Sequence, residues 1–235
     1  MKIICIIPAR SGSTRLKNKN ILLLKKRPLI YWTAKKAIES NIFDKIYLSS
    51  NNKLYFEILI KYLKKDNLRT DILEFDERES KHSKTKSKIF DYIKSDFIEK
   101  FQFKKNDLIV QLLPTSPLRK IKTIKNAVNL AIKSKKNVFT INEYDFYLSF
   151  GLELKNNKKD WKPFYKKSPL ITGKTQSQGQ TKFYHPNGVA YCLWVGNLNS
   201  KCKSIYENAH VLVNERFESF DIDTKDDLNF IKKII

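Results

Sequence analysis

The chain has 235 residues, 41% of them hydrophobic, and 46 Lys and Arg against 24 Asp and Glu, for a net charge of +22. That length is enough for one substantial core. No run approaches the ~20 apolar residues of a membrane span, and the leading run of about five is shorter than the roughly 7–15 of a signal peptide. Cys5, Cys192 and Cys202 have no metal-ligand spacing and cannot all pair, so a soluble, cytoplasmic protein is expected. Only seven of the cations are Arg, and the Lys are scattered in pairs such as Lys25-Lys26, Lys64-Lys65 and Lys135-Lys136. The charge therefore reads as a solvated surface that would draw in polyanions, with no nucleic-acid module and no membrane partner expected.

In chain order, Ile3–Ile7 reads as a buried strand. After it the chain becomes polar and cationic up to Asn20. Leu29–Ser40 has helical periodicity, Lys45–Ser50 is a second strand and Leu54–Leu63 a second helix. Ile72–Phe75, Leu108–Leu113 and Asn137–Ile141 read as further strands, with helices at Ile89–Phe97 and Thr123–Ile132 between them. This alternation predicts an α/β class fold whose parallel sheet is covered on both faces. Glu143–Lys182 breaks the pattern and is expected to be an inserted arm or subdomain within one domain spanning 1–235. Tyr184–Val195 and His210–Val213 read as strands. Lys225–Ile235 is a closing helix, with Thr224 as N-cap and Asp226 and Asp227 in its first turn.

Four segments carry candidate chemistry. From Arg10 to Asn20 the chain places Arg10, Arg15, Lys17 and Lys19, three hydroxyls and Gly12 directly after a strand. Like charges that dense repel unless an anion sits among them, so the loop reads as a phosphate site at the carboxyl end of a strand. Asp221 and Asp223 fall on one side of an extended backbone. They suit Mg²⁺ shared with substrate phosphates, or equally a surface loop feeding a helix. Pro114-Thr115-Ser116-Pro117-Leu118-Arg119 reads as a rigid turn with hydroxyls toward a cleft and Arg119 as a cap. Asn187-Gly188 alone reads as a hairpin turn. His82, His185 and His210 are isolated and read as structural or solvent-facing. Neither GxGxxG nor GxxxxGK[ST] is present.

Together these segments resemble the sugar-activating cytidylyltransferases, specifically the CMP-sialic acid synthetase (acylneuraminate cytidylyltransferase) family. Ala9-Arg10-Ser11-Gly12-Ser13 with Lys19-Asn20 matches ARxGSK-x-x-x-x-KN. Pro114 to Arg119 matches the end of QPTSPLR, Asn187-Gly188-Val189-Ala190-Tyr191 matches NGAIY, and Asp221 to Thr224 with Asp227-Leu228 matches DIDTxxDL. The resemblance implies a Rossmann-like, three-layer nucleotidyltransferase fold with a mainly parallel sheet and a dimerisation arm at 143–182. It implies Mg²⁺-dependent transfer of CMP from CTP to the anomeric hydroxyl of an acidic, sialic acid-like sugar. Pyrophosphate is released, the role is in surface polysaccharide synthesis, and the enzyme is a homodimer. A 3-deoxy-manno-octulosonate (KDO)-type enzyme, or a CTP-binding relative without turnover, is the alternative.

In that scheme Arg10 and Lys19 neutralise the triphosphate, while Ser13 and the loop of Ala9, Ser11 and Gly12 cradle it. Arg15 supplies the charge of the family Lys whose place Thr14 takes. Asn20 and Arg78 hold the cytidine. Pro114, Thr115, Ser116, Asn187 and Gly188 complete the substrate-binding set. Asp221 and Asp223 bind Mg²⁺, one of them also helping to deprotonate the attacking hydroxyl. The departures are Thr14, Leu113 for a sugar-contacting Gln, Ser50-Asn51 for Thr-Asp, and Gln176-Ser177 where an Arg is usual. They fall mostly on the sugar side.

Overall fold

The computed structural model describes residues 1–79, 82, 87–156, 159–176, 178–199 and 201–234; Ser177, named above, lies outside them. Two compact units are resolved, one formed by 1–140 with 187–235 and the other by 141–186.

The first unit is built on strand β1 (Ile3–Pro8). A short hairpin follows, β2 (Leu23–Leu24) and β3 (Arg27–Pro28), and then helix α1 (Leu29–Ser40). Strand β4 (Lys45–Ser50), helix α2 (Lys53–Lys65) and strand β5 (Leu73–Glu77) come next. The following helical segment comprises α3 (Ile89–Tyr92), a π-helical turn (Ile93–Phe97) and α4 (Ile98–Lys100). Then come β6 (Leu108–Gln111), α5 (Ile121–Ser134) and β7 (Asn137–Glu143).

The second unit contributes β8 (Leu152–Leu154), β9 (Trp161–Pro163) and the single turn α6 (Pro169–Thr172). In the β8–β9 hairpin Leu154 faces Trp161 and Leu152 faces Pro163, while Glu153 and Lys162 pair on the other side at 2.8 Å. The chain closes with β10 (Tyr184–Trp194), β11 (Ala209–Val213) and α7 (Lys225–Ile234).

The seven-stranded sheet runs in the order β11-β7-β10-β6-β1-β4-β5. β1 pairs in parallel with both β4 and β6, and β4 with β5, whereas β10 runs antiparallel to β6. The sheet is thus mainly parallel, with an antiparallel strand where the chain returns from the second unit.

Alternation along β1 decides its two faces. Cys5 and Ile7 join Ala34, Leu59 and Ala127 in one apolar cluster, under α1, α2 and α5. Ile4 and Ile6 join Tyr47, Phe97 and Ile109 in the other. A strand buried on both faces must read as an unbroken apolar run, as Ile3–Ile7 does. Phe97 anchors the second cluster, with ring centroids 5.3 Å from Tyr47 and 5.1 Å from Phe101.

The structure adds to the sequence reading at three points. Lys25 and Lys26 both adopt positive φ, 44° and 62°, to turn the β2–β3 hairpin without the usual Asn or Gly, which hid it from the pattern. Asn187-Gly188, a hairpin turn if read alone, lies within β10, as the strand expected over Tyr184–Val195 requires. Gly188 has φ 76°, and the Asn187 side chain accepts hydrogen bonds from Thr140 Oγ1 and the Val189 amide. The Ile89–Phe97 helix includes a π turn that apolar periodicity does not signal.

Phe97→Ala empties the centre of the aromatic cluster. Chemical denaturation is expected to show a loss of about 3–5 kcal/mol relative to the parent protein.

Candidate active site

β1 ends at Pro8, and the chain passes into the Arg10–Asn20 loop at the carboxyl edge of the parallel strands. Ala9 is fully buried and its amide donates to the Ser49 carbonyl at 2.8 Å, so the loop starts from a fixed point. Asn20 is buried and donates from Nδ2 to the Arg10 carbonyl at 2.9 Å, closing the loop on itself. The Ser11 amide donates to Asn51 Oδ1 at 3.0 Å, and the Ser13 amide to the Ser11 carbonyl at 3.1 Å. Two of the amides expected to cradle phosphate are therefore engaged within the protein. Gly12 is exposed, and nothing lies within 4 Å of where its Cβ would be, so no close backbone approach requires glycine there.

The acidic segment comes to this loop from the far end of the chain. Ile222 is fully buried with Leu24, Leu29, Leu228 and Ile231, and its amide donates to the Thr115 carbonyl at 2.9 Å. With Ile222 anchored inward, Asp221 and Asp223 turn the other way. The start of α7 holds the segment from behind: Thr224 Oγ1 accepts from the Asp227 amide at 3.2 Å, while Asp227 Oδ2 accepts from the Thr224 amide at 2.7 Å. This reciprocal pair is a capping box with Asp in the acidic position.

Asp223 receives two cations. Lys19 Nζ lies 2.8 Å from its Oδ1, and Arg15 Nη1 lies 2.9 Å from its Oδ2. The Arg15 side chain is 68% exposed, that of Lys19 only 13%. Asp221 reaches solvent at the cleft yet has its carboxyl pushed above the usual range, chiefly by burial of the group among the cleft walls. The neighbouring Asp223 charge adds to this, and the Thr115 hydrogen bond and the charges of Lys19 and Arg15 oppose it.

A cleft of about 580 Å³ joins these groups. Its walls include Arg10, Ser13, Arg15, Lys19, Asn20 and Arg78 on one hand, and Pro114, Thr115, Asp221 and Asp223 on the other. Cations and carboxylates separated by 204 positions thus face one space. Arg78 is 4% exposed, and its guanidinium carbon sits 5.8 Å from the Tyr92 ring centroid. Its proton affinity is lowered, first by burial and also by the charge of Arg10, against the opposing pull of the Asp76 and Tyr92 oxygens.

Other expected residues lie elsewhere. Ala9, Ser11, Gly12, Ser116, Asn187 and Gly188 are not among the cleft-lining residues. Ser116 is fully buried, so of the two hydroxyls expected to face the cleft only that of Thr115 lies there. Gly188 stands behind Leu113: a Cβ on it would come within 2.8 Å of Leu113 Cδ1. Arg119 does not cap an exposed end. It is buried, donating to Thr33 Oγ1 at 3.0 Å and to the Leu113 carbonyl at 2.7 Å, and so fixes the cleft floor.

The sequence reading missed His82, Ser87 and Ile89 as lining residues. His82 is not a bystander: its Nε2 lies 3.0 Å from Asp96 Oδ2 and its ring packs 5.1 Å from that of Tyr92. No spacing signal tied it to the cleft, because its contacts with Tyr92 and Asp96 depend on how the following helical segment folds back on it. Among the described residues no helix is long and apolar enough to cross a membrane.

A mainly parallel α/β sheet with an anion-suited loop and paired carboxylates at its carboxyl edge suits a protein that binds nucleotides. The family model described as cytidylyltransferase matches residues 4–160, and the chain belongs to that family. It is 30% identical to pseudaminic acid cytidylyltransferase of Campylobacter jejuni, over 99% of this chain and 95% of that protein. It is 31% identical to N-acylneuraminate cytidylyltransferase of Streptococcus agalactiae, over 97% of this chain and 52% of that longer protein. A solved CMP:2-keto-3-deoxy-manno-octonic acid synthetase complexed with CTP shares the fold, with a TM-score of 0.66 at 11% identity over 100% of this chain and 98% of the other.

The folded protein holds the Asp221 proton more tightly than an unfolded chain does. Ionising this group therefore costs stability, fully above its folded pKa and not at all below the ordinary carboxylate value of about 4. Asp221→Asn is expected to raise the melting temperature of the nucleotide-free protein at neutral pH, and calorimetry below about pH 4 should show no such gain.

Proposed function

We propose that this enzyme transfers CMP from CTP to the anomeric hydroxyl of an acidic, nonulosonic-type sugar, releasing pyrophosphate, in the synthesis of surface polysaccharide. The observation that carries this reading is the single cleft shared by Arg10, Arg15, Lys19 and Arg78 with Asp221 and Asp223. Those four cations match a triphosphate, and the sugar class follows the relatives named for pseudaminic and N-acylneuraminic acids. A third relative, a CMP-N,N'-diacetyllegionaminic acid synthase of Legionella pneumophila, is 28% identical over 100% of this chain.

The residues present fit a Mg²⁺ ion. Asp221 and Asp223 are hard oxygen donors close enough for one charge to raise the other's proton affinity, a pair that gains from an added cation. Among the described residues no third His, Cys, Asp or Glu joins them as a metal cluster, so nucleotide oxygens and water would complete the shell. When bound, Mg²⁺ would neutralise charge on the triphosphate and on the departing pyrophosphate.

The protein's own groups do the rest by positioning and charge. Lys19 and Arg15 exchange Asp223 for phosphate oxygens, so the nucleotide meets cations already ordered. Arg10 stabilises negative charge as it moves toward the leaving pyrophosphate, and Arg78, which the resemblance gives to the cytidine, is assigned with it to the phosphates because the charge of Arg10 reaches it. A carboxylate of the pair takes the proton of the sugar hydroxyl as its oxygen bonds to the α-phosphorus and the bond to pyrophosphate breaks. Asn20 fixes the loop with one N–H on the Arg10 carbonyl, and its second N–H and its Oδ1 serve the cytidine from the cleft wall.

A homodimer through the second unit fits the same reading. Leu152, Leu154 and Trp161 lie on one side of the β8–β9 hairpin and are all exposed, Leu154 at 62%. A cytoplasmic location fits substrates made inside the cell.

Pyrophosphate release with CTP, Mg²⁺ and a panel of acidic sugars tests the assignment. Lys19→Ala and Asp223→Asn are each expected to lower turnover by about 10²–10³-fold while the fold is kept. Near-normal turnover in either variant contradicts the residue roles, and CTP binding without release by the parent protein would leave a binding relative.

A further inference from the structure

Arg78 sits in the cleft wall with a counter-charge, Asp76, near enough to act on it but not in direct contact. Among the described residues its Nε has no hydrogen-bond partner, and no carboxylate lies within ion-pair distance. Asp76 lies two residues earlier, at the end of β5, and is fully buried. Residues two apart on an extended chain share a side, so Asp76 is the natural partner for Arg78.

That partnership is pre-empted. The Tyr92 hydroxyl lies 2.8 Å from both Asp76 carboxylate oxygens. Lys100 Nζ donates to Asp76 Oδ1 at 2.8 Å and to the Glu77 carbonyl at 2.8 Å. Tyr92 is itself buried, 2% exposed, and its ring face is what Arg78 meets instead. Tyr92 closes α3, Lys100 closes α4, and the π turn Ile93–Phe97 lies between them. A π turn changes which side chains share a helix face and recurs at functional sites. Here both groups that satisfy Asp76 come from the two ends of that segment.

We propose that Asp76, Tyr92 and Lys100 are positioning residues for Arg78. Tyr92 and Lys100 occupy the Asp76 carboxylate, so Arg78 rests on the Tyr92 ring with its donors kept for an anion in the cleft. The anion is the triphosphate of the nucleotide assigned above, and the inference rests on that reading for its ligand alone. Guanidinium donors suit phosphate oxygens, and a guanidinium already paired with a carboxylate would have to give that pair up on binding.

Tyr92→Phe keeps the ring and deletes the hydroxyl, and the half-exposed Lys100→Met provides a second variant that leaves the aromatic cluster intact. In crystals of each nucleotide-free variant, Arg78 is expected to turn onto Asp76 as a direct ion pair. The KM for CTP should rise about tenfold, with kcat within about threefold of the parent protein. Adding Asp76→Asn to Tyr92→Phe removes the competing charge and should recover most of the KM, a rescue that loss of packing would not give. Arg78 still on the aromatic ring, an unchanged KM, or a double variant no better than the single one each overturns the proposal. If the parent protein turns over no CTP with any acidic sugar, the assigned reaction fails. The position of Arg78 in the variant crystals then decides this inference separately.

Discussion

Four cationic side chains in one cleft repel one another, and the carboxylates of Asp221 and Asp223 make that crowding tolerable. The contact that carries most weight is Asp223 held between Lys19 and Arg15. It joins the loop after the first strand to the segment before the last helix. Every other part of the site is arranged so that these two segments meet with charges of opposite sign.

The core supplies that arrangement. β1 is apolar on both faces, so it takes a central place in the sheet and delivers the cationic loop to the carboxyl edge. Ile222 is driven inward against the β2–β3 hairpin and α7, which turns its acidic neighbours toward the cleft. Burying such a side chain is worth roughly 1.5–3 kcal/mol, more than an exposed ion pair contributes. Packing therefore sets where the carboxylates point, and the ion pairs follow. Arg119 works in the same way from the other side, tying the Leu113 carbonyl to Thr33 of α1 so that the cleft floor is rigid.

Much of this was legible in the chain. The strands Ile3–Pro8 and Lys45–Ser50 and the helix Leu29–Ser40 follow from apolar runs and periodicity, because their packing partners demand those patterns. The cationic loop and the acidic pair were legible as charge density next to a strand. What stayed hidden depends on contacts between distant segments. His82 lines the cleft through Asp96 and Tyr92, and no local spacing announces that. Ser116 looked like a site hydroxyl yet is buried behind Thr115, since only the folded turn decides which of two adjacent hydroxyls faces out. The strand over Tyr184–Val195 was legible, but not that Thr140 fixes the Asn187 side chain so that the turn-like Asn-Gly pair stays inside β10.

The central claim is that Asp223 keeps Lys19 and Arg15 ordered until a nucleotide takes them. A crystal structure with CTP and Mg²⁺ tests it directly. The account predicts that both cations leave Asp223 for phosphate oxygens while Asp221 and Asp223 turn to the metal. Lys19 and Arg15 still on Asp223, with the triphosphate bound elsewhere, would contradict it.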